Sequence, residues 1–248
     1  MKKLLMFLVM VLLAQTASAA DIAGLVPKIK SKYAALDSQI HDAVMEQQMV
    51  MQGMATSSKM MKKGKKMRVE STIPVEGMGQ MKTTMIFDGE NSWMIAPMQG
   101  KVRLPGVSKE MGSYGDWWDS LTESATLAED EKVSGRDAYV ILTSPSPEMP
   151  FTKLWVDKKQ LLLLQAEGMD SGKTMRWTYL EFKNVEGWDI PQKTEFFENG
   201  MSTGTVTVTD VKVNTGLSDD LFDIDKVEAP AFDMQAMMQQ AMQQTEEQ

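Results

Sequence analysis

The sequence contains no cysteine and a single histidine, His41. Without cysteine the chain forms neither disulfides nor thiolate metal sites, so its stability must come from an ordinary hydrophobic core. A single histidine excludes a histidine-based zinc site and a histidine dyad. No GxSxG nucleophile motif is present, and the acidic residues are dispersed through predicted turns. We therefore expect a protein with no enzymatic activity and no cofactor.

The amino terminus has the pattern of a cleavable export signal. Lys2 and Lys3 precede an apolar run over residues 4–13, and Ala17-Ser18-Ala19 forms an A-x-A cleavage site. This run is much shorter than the roughly 20 residues that a membrane-spanning helix needs. A lipoprotein signal is excluded because it requires a cysteine after the apolar run. We expect cleavage after Ala19, no membrane span in the mature chain, no lipid anchor and a periplasmic location.

The sequence has fewer basic than acidic residues, 26 against 34. The formal net charge is -8, and removal of Lys2 and Lys3 with the signal makes the mature chain more negative still. A chain with this charge is repelled by nucleic acid and by anionic lipid headgroups. We therefore expect no nucleic-acid partner.

A helix is predicted at the start of the mature chain. Apolar residues from Ile22 to Leu36 recur at spacings of three and four, and Asp21 is a suitable N-cap. Pro27 interrupts the pattern, and proline is best tolerated in the first turn of a helix. We therefore expect the helix to start near Val26.

The segment from about residue 40 to 213 is typical of antiparallel strands joined by tight turns. The predicted hairpins cover residues 81–96, with a turn at Asp88-Gly89, and residues 153–167. Residues 168–174 read GMDSGKT, which is one residue short of a phosphate-binding loop and is interpreted as a hairpin turn. The last strands fall at 174–183, 193–197 and 203–213.

These elements predict a mainly β fold with helices, of the α+β type. We expect a strongly curved, unclosed antiparallel β-barrel with an apolar concavity, an N-terminal helix, and short lid helices within residues 106–122. Residues 20–228 are expected to form a single domain. The Met/Gln-rich tail, residues 229–248, is expected to be a loose or partner-dependent helix.

Methionine is unusually abundant, with 24 residues in the chain. Thioethers are soft ligands for cuprous ion, which makes His41, Met45, Met49 and Met51 candidate metal ligands. Methionine also fills irregular apolar cavities and suits surfaces that adapt to variable ligands. The methionines are scattered over many predicted strands, which favours a lining over a metal site.

Three short motifs follow the predicted helix in order: KKGKKMR at 62–68, DGENSW at 88–93 and GWDIP at 187–191. Their order and spacing, with a helix that leads into a strand near Ile40, resemble the periplasmic carriers of outer-membrane lipoproteins, the LolA-like family. The resemblance covers nearly the whole mature chain. It implies a carrier that shields the acyl chains of a lipoprotein or lipid on the way to the outer membrane. It also implies an inner-membrane transport machine as the donor of the cargo.

The resemblance suggests which residues contact the cargo. The candidates for the cavity are Met85, Phe87, Trp93, Ile95, Trp155, Leu162, Leu164, Trp177 and Tyr179. Strand alternation places Met85 and Phe87 on one face and Trp93 and Ile95 on the other. Trp117 and Trp118 are candidates for a covering segment, and Arg68 for the basic residue that contacts the lid in this family.

Two other functions remain open from the residues alone. The first is a methionine-based copper or silver binder, built on the ligands named above. The second is a non-catalytic envelope protein that uses the tail, residues 229–248, to dock a partner helix.

Overall fold

The computed structural model describes residues 21–75, 79–97, 99–105, 117–122, 124–146 and 149–228. The predicted signal peptide, residues 1–19, and the predicted tail helix, residues 229–248, lie outside the described residues. Both therefore stay predictions, as does the single-domain boundary at residue 228.

An α-helix, α1 (Ile22–Gln39), precedes the sheet. Asp21 Oδ1 caps its first turn by accepting a hydrogen bond from a backbone N–H at 3.1 Å. The predicted start near Val26 is therefore wrong: the cap at Asp21 and the burial of Leu25 hold the first turn, and the helix continues through Pro27. In the described part of the chain no helix is long and apolar enough to cross a membrane.

The rest of the described chain is dominated by strands. They are β1 (Asp42–Met51), β2 (Met54–Lys63), β3 (Lys66–Val75), β4 (Gly79–Phe87), β5 (Ser92–Ala96), β6 (Gly100–Arg103), β7 (Thr126–Leu127), β8 (Glu131–Val133), β9 (Arg136–Leu142), β10 (Phe151–Asp157), β11 (Leu163–Asp170), β12 (Lys173–Val185), β13 (Trp188–Glu198) and β14 (Met201–Val213). A short 3₁₀ helix, Asp219–Phe222, follows β14. The prediction of a mainly β protein with an N-terminal helix is confirmed.

All of these strands belong to one curved antiparallel sheet. Its order is β6-β5-β4-β3-β2-β1-β14-β13-β12-β11-β10-β9-β7, with β8 beside β9. The first and last strands of the chain therefore pair in its interior. Among the described strands, β6 and β7 are the ends of this order and do not pair with each other, so the sheet is unclosed as predicted.

The predicted hairpins are confirmed by β4–β5, β10–β11 and the Ser171-Gly172 turn between β11 and β12. Most of the region predicted to hold short lid helices, residues 106–116, lies outside the described residues. Residues 117–122 form turns and irregular chain instead of a helix. Lid helices are therefore not evident in the part of the chain that the structure describes.

The register assigns each strand residue to one of two faces, because side chains directly opposite each other on paired strands lie on the same side. Leu154, Ala166 and Trp177 are successive partners across β10, β11 and β12. All three belong to the core against which α1 packs. We call this side the helix-side face and the other side the opposite face.

The helix-side core lies over β9–β12. It buries one stripe of α1 and the segment around Trp117 against these strands. Its members include Leu25, Val26, Ile29, Tyr33, Trp117, Trp118, Leu121, Ile141, Phe151, Leu154, Val156 and Ala166. This packing fixes α1 at one half of the sheet.

The opposite face has two separate cores. One joins Val133, Ala138, Val140, Trp155, Leu162 and Leu164 over β8–β11. The other is formed where the C-terminal segment, residues 217–227, crosses the first strands. Phe222, which is 1% exposed, packs there on Met61, Ile86 and Ile95.

Asp42, at the start of β1, ties the C-terminal segment to the sheet. Its Oδ1 accepts hydrogen bonds from Thr215 N and Oγ1 at 2.7 and 2.8 Å, and its Oδ2 accepts from Gly216 N and Leu217 N at 2.8 and 3.1 Å. Burial alone raises the pKa of this carboxyl, but the hydrogen bonds outweigh burial and the pKa is lowered. The ionised carboxylate therefore holds the chain where it leaves β14.

We predict that Asp42→Ala lowers the free energy of unfolding by about 2 to 3 kcal/mol at neutral pH, because it leaves buried N–H groups without acceptors. The pKa is lower in the folded than in the unfolded state. The stabilisation is therefore present above the unfolded value of about 3.9 and is lost as pH falls through the folded value. Urea denaturation across this range measures both effects. Asp137→Ala removes an exposed carboxylate and serves as the control, and an equal loss in both variants would contradict the prediction.

Candidate ligand-binding face

A row of apolar side chains crosses the first five strands on the helix-side face. Met45, Met60, Val69, Met85 and Met94 are directly opposite one another on β1 to β5. We call these residues the methionine row. Val211 on β14 and Val102 on β6 extend it at its two ends. With neighbouring strands about 4.8 Å apart, the extended row is about 29 Å long.

The methionine row is only partly covered. Met45 is 8% exposed, whereas Met60, Met85 and Met94 are half-buried. None of the row residues belongs to the helix-side core beneath α1. Met61, the neighbour of Met60 on the opposite face, is 4% exposed under the C-terminal segment. The two faces of these strands therefore differ. The C-terminal segment packs on the opposite face, whereas the helix-side face carries partly buried apolar side chains.

A second row on the helix-side face is polar. Gln47, Ser58, Ser71 and Thr83 are opposite one another on β1 to β4, and each lies two residues along its strand from a member of the methionine row. Side chains two residues apart on a strand are about 7 Å apart on the same face. The apolar row is thus bordered by hydroxyl and amide groups, and we call these four residues the polar row.

Aromatic side chains stand at the helix end of this face. Tyr33 of α1 stacks on Trp118, with ring centroids 4.3 Å apart, and meets Trp117 edge-on at 5.5 Å. The Tyr33 hydroxyl donates a hydrogen bond to Leu161 O at 3.2 Å. Burial raises the pKa of the phenol, so it stays neutral. Trp117 and Trp118, predicted to cover the site, are therefore themselves held by α1.

The structure places the predicted cavity residues on two different faces. Met85, Phe87, Trp177 and Tyr179 lie on the helix-side face, whereas Trp93, Ile95, Trp155, Leu162 and Leu164 lie in or beside the cores of the opposite face. The predicted pairing of Met85 with Phe87, and of Trp93 with Ile95, follows the observed register. Only the first group lies on the same face as the methionine row and can share a site with it. Their contact with a ligand stays a prediction.

Arg68 lies on the opposite face, between Met61 and Ile86 in the register. Its guanidinium donates to Leu221 O at 3.0 Å and pairs with Glu70 at 2.7 Å. It therefore contacts the C-terminal segment and is on the other side of the sheet from Trp117 and Trp118.

The candidate metal ligands do not converge on one point in β1. Met45, Met49 and Met51 share the helix-side face, but Met45 and Met49 are about 13 Å apart along the strand. His41 is exposed, and its backbone N–H donates to Asn214 Oδ1 at 2.9 Å. Among the described residues no group of three or more histidine or acidic side chains could hold a metal ion. Binding of a soft metal by these methionines stays a prediction.

Two cavities elsewhere on the described structure have charged residues in their linings. One, of about 730 Å³, crosses the middle of β1–β4 and includes Glu46, Lys59, Glu70 and Lys82. The other, of about 420 Å³, is lined by charged residues that include Arg136 and by apolar residues, among them the predicted cavity residues Leu162, Leu164 and Tyr179. Neither includes a residue of the methionine row, and their charges are poorly suited to an acyl chain.

Reasoning from the sequence overlooked Met60, Val69 and Met94. The signal that points to them is the length of the turns. Gln52-Gly53 is a two-residue turn with positive φ at both positions, which sets the register of β1 and β2 and hence the pairing of Met45 with Met60. Counting outward from this turn would have aligned Met45 with Met60.

An N-terminal helix and a single curved, unclosed antiparallel sheet are the features of a LolA-like fold. A DUF1329 family protein from Desulfovibrio piger is similar, with a TM-score of 0.58 and 17% identity over 82% of this chain and 95% of that one. A LolA superfamily protein from Nitrosomonas europaea is also similar, with a TM-score of 0.56 and 18% identity over 82% of this chain and 99% of that one. At these identities the likeness establishes the fold alone.

The model of a family described as "Uncharacterized protein" matches residues 61–229, more than half of the chain, and the chain belongs to that family. No curated protein matches the sequence. The LolA-like resemblance that the sequence motifs suggested is confirmed for the fold by these two structures.

Close packing at the end of β1 farthest from the methionine row gives a stability prediction that includes its own control. A Cβ on Gly204 would overlap Met51 Sδ and the Val50 carbonyl and lie 3.1 Å from Met51 Cα, whereas a Cβ on Gly24 of α1 meets nothing within 4 Å. We expect Gly204→Ala to lower the free energy of unfolding by about 1 to 3 kcal/mol, and Gly24→Ala to raise it by about 0.5 to 1 kcal/mol. Urea denaturation measures both, and a stabilising Gly204→Ala would contradict the packing described.

Proposed function

We propose that this protein is a non-enzymatic periplasmic carrier that binds the acyl chains of a lipid or lipoprotein on its helix-side face. In this proposal the signal, residues 1–19, is cleaved, and the mature chain carries cargo toward the outer membrane. The observation that carries the proposal is the methionine row, an apolar strip across five strands that is only partly covered.

The row supplies the driving force for binding. Each methylene removed from water contributes roughly 0.8 kcal/mol, so a chain lying along half-buried Met60, Met85 and Met94 gains affinity without any covalent step. Methionine side chains have flexible stems and polarizable sulfur, which lets them adapt to chains of different shape. The lining thus suits a class of hydrophobic cargo more than one rigid molecule.

The aromatic cluster limits the site on one side. Tyr33, Trp117 and Trp118 are packed together on the same face as the row, over β9–β12. An acyl chain on the row therefore extends from the open strands toward a preformed aromatic wall. Similarity to a LolA superfamily protein over most of both chains supports a carrier, because this is the fold of that superfamily.

The first test is native mass spectrometry, with solvent extraction and lipid analysis, of protein purified gently from the periplasm of its own host. We expect lipid or acylated peptide in a defined stoichiometry. A lipid-free protein that retains copper would contradict the carrier and favour metal binding by the methionines. An empty protein that also fails to bind a fatty acid in solution would contradict the carrier as well.

A substitution in the row tests where the chain binds. We expect Met85→Asp to weaken binding of a fluorescent hexadecanoic acid analogue by at least about tenfold, because a carboxylate must be desolvated on contact with the chain. Met85→Gln, which adds no charge, is expected to weaken it less. Fluorescence titration measures the affinity, and circular dichroism confirms that each variant is folded.

The matched control is Met169→Asp. Met169 is also a strand methionine but is 56% exposed, next to the Ser171-Gly172 turn and one residue from Gly168, whose partner Met175 is on the helix-side face. It therefore lies on the opposite face. Equal loss of affinity in the Met85 and Met169 variants, or no loss in either, would contradict binding on the methionine row.

A further inference from the structure

We propose that the methionine row is a site of reversible oxidation, and that conversion of its thioethers to sulfoxides by hydrogen peroxide lowers the affinity of the face for acyl chains. The inference rests on the proposed function, because it concerns what becomes of the same surface under oxidising conditions. It assigns a modification site to Met60, Met85 and Met94.

Access distinguishes these methionines from those in the cores. Met60, Met85 and Met94 are half-buried over β2, β4 and β5, a part of the helix-side face where no described element forms a core, so a small oxidant reaches them. Met61 and Met149 are 4% and 3% exposed within closed hydrophobic clusters. The chain has no cysteine, so thioethers are its only sulfur groups and no thiol competes for the oxidant.

The chemistry needs only the thioether and the peroxide. The methionine sulfur attacks one peroxide oxygen, the O–O bond breaks, and a proton moves to the departing oxygen, which leaves as water. The sulfur is oxidised by two electrons and gains an S–O bond, while the peroxide is reduced. Each event therefore turns one flexible apolar side chain into a polar one.

The surroundings of the row accommodate the product. The polar row, with donors on Gln47, Ser58, Ser71 and Thr83, lies one position along the same face. A sulfoxide oxygen is a strong hydrogen-bond acceptor, and these groups are within reach of a long side chain about 7 Å away. Met61, by contrast, is 4% exposed and packs with Ile86, Ile95 and Phe222, so an oxygen added there is removed from water.

The alignment of the row makes the functional effect large. Met60, Met85 and Met94 occupy three of its five positions, so a chain that lies along the row contacts several oxidisable groups at once. After oxidation, the chain must desolvate polar oxygens along most of its length. The sheet itself is held by the opposite-face cores and by backbone pairing, which the sulfoxides do not touch.

The test uses the purified mature protein, hydrogen peroxide and the fluorescent hexadecanoic acid analogue. Mass mapping of peptides identifies which methionines gain one oxygen at each dose. We expect affinity to fall roughly tenfold as Met60, Met85 and Met94 are oxidised, with circular dichroism unchanged. Treatment with both stereospecific methionine sulfoxide reductases is expected to restore it.

Two variants separate the row from other methionines. In a variant with Met60→Leu, Met85→Leu and Met94→Leu, affinity is compared before and after peroxide, and we expect the ratio to be near one whatever the starting affinity. Met169→Leu with Met201→Leu removes two exposed methionines, 56% and 69% exposed, and is expected to keep the full sensitivity of the original chain.

The outcomes distinguish this inference from the proposal beneath it. Absence of binding before any peroxide is added would overturn the carrier function and this inference with it. Normal binding that survives complete oxidation of the row would overturn only this inference, and the methionines would then act as a passive sink for oxidant. Loss of affinity that follows Met169 or Met201 instead of the row would overturn it as well.

Discussion

The antiparallel pairing of β1 with β14 is the contact on which the rest of the structure depends. In the described sheet, β2 to β6 lie on one side of this pair and β7 to β13 lie on the other, so the pair joins the two halves of the sheet. Side chains at the end of the junction fix it in place: Asn214 Nδ2 donates to Gln39 O at 3.1 Å, and Asp42 accepts from the chain that follows. Because the partners are at opposite ends of the sequence, the pairing brings the end of α1 next to the chain that leaves β14.

The register of β1 against β14 decides which side chains of the two halves of the sheet share a face. A bulge in β14 inserts one residue between the partners of Glu46 and Gln47, so the two ends of β1 pair with different phases of β14. Beyond the bulge, Met49 and Met51 face Val206 and Gly204 on the side where α1 packs. A slip of one residue would turn the methionine row toward the C-terminal segment and expose Met61 and Ile86 instead. The close contact of Gly204 with Met51 and Val50 opposes that slip.

The cores and the methionine row occupy different parts of the sheet. This separation explains how a chain without disulfides stays folded while an apolar strip is only partly buried. Stability comes from the cores on the opposite face and from the α1 cluster at one half of the helix-side face. No residue of the methionine row belongs to any of these three cores. Its side chains are therefore free to adapt to a ligand, or to be oxidised, at little cost to the fold.

The sequence by itself determined the secondary structure, the family and the alternation of each strand, because turn residues, the Asp21 cap and period-2 patterning act over a few residues. It correctly separated Met85 and Phe87 from Trp93 and Ile95, and it identified the hairpins. It misplaced the start of α1, because the burial that retains Pro27 within the helix is tertiary. Only the tertiary structure decided the register between β1 and β14 and the contact of Arg68 with the C-terminal segment. It also decided that Trp155 and Trp177 lie on opposite faces of the sheet. The first two outcomes depend on contacts between residues more than a hundred positions apart, which no local pattern encodes. The third depends on the registers across β10, β11 and β12.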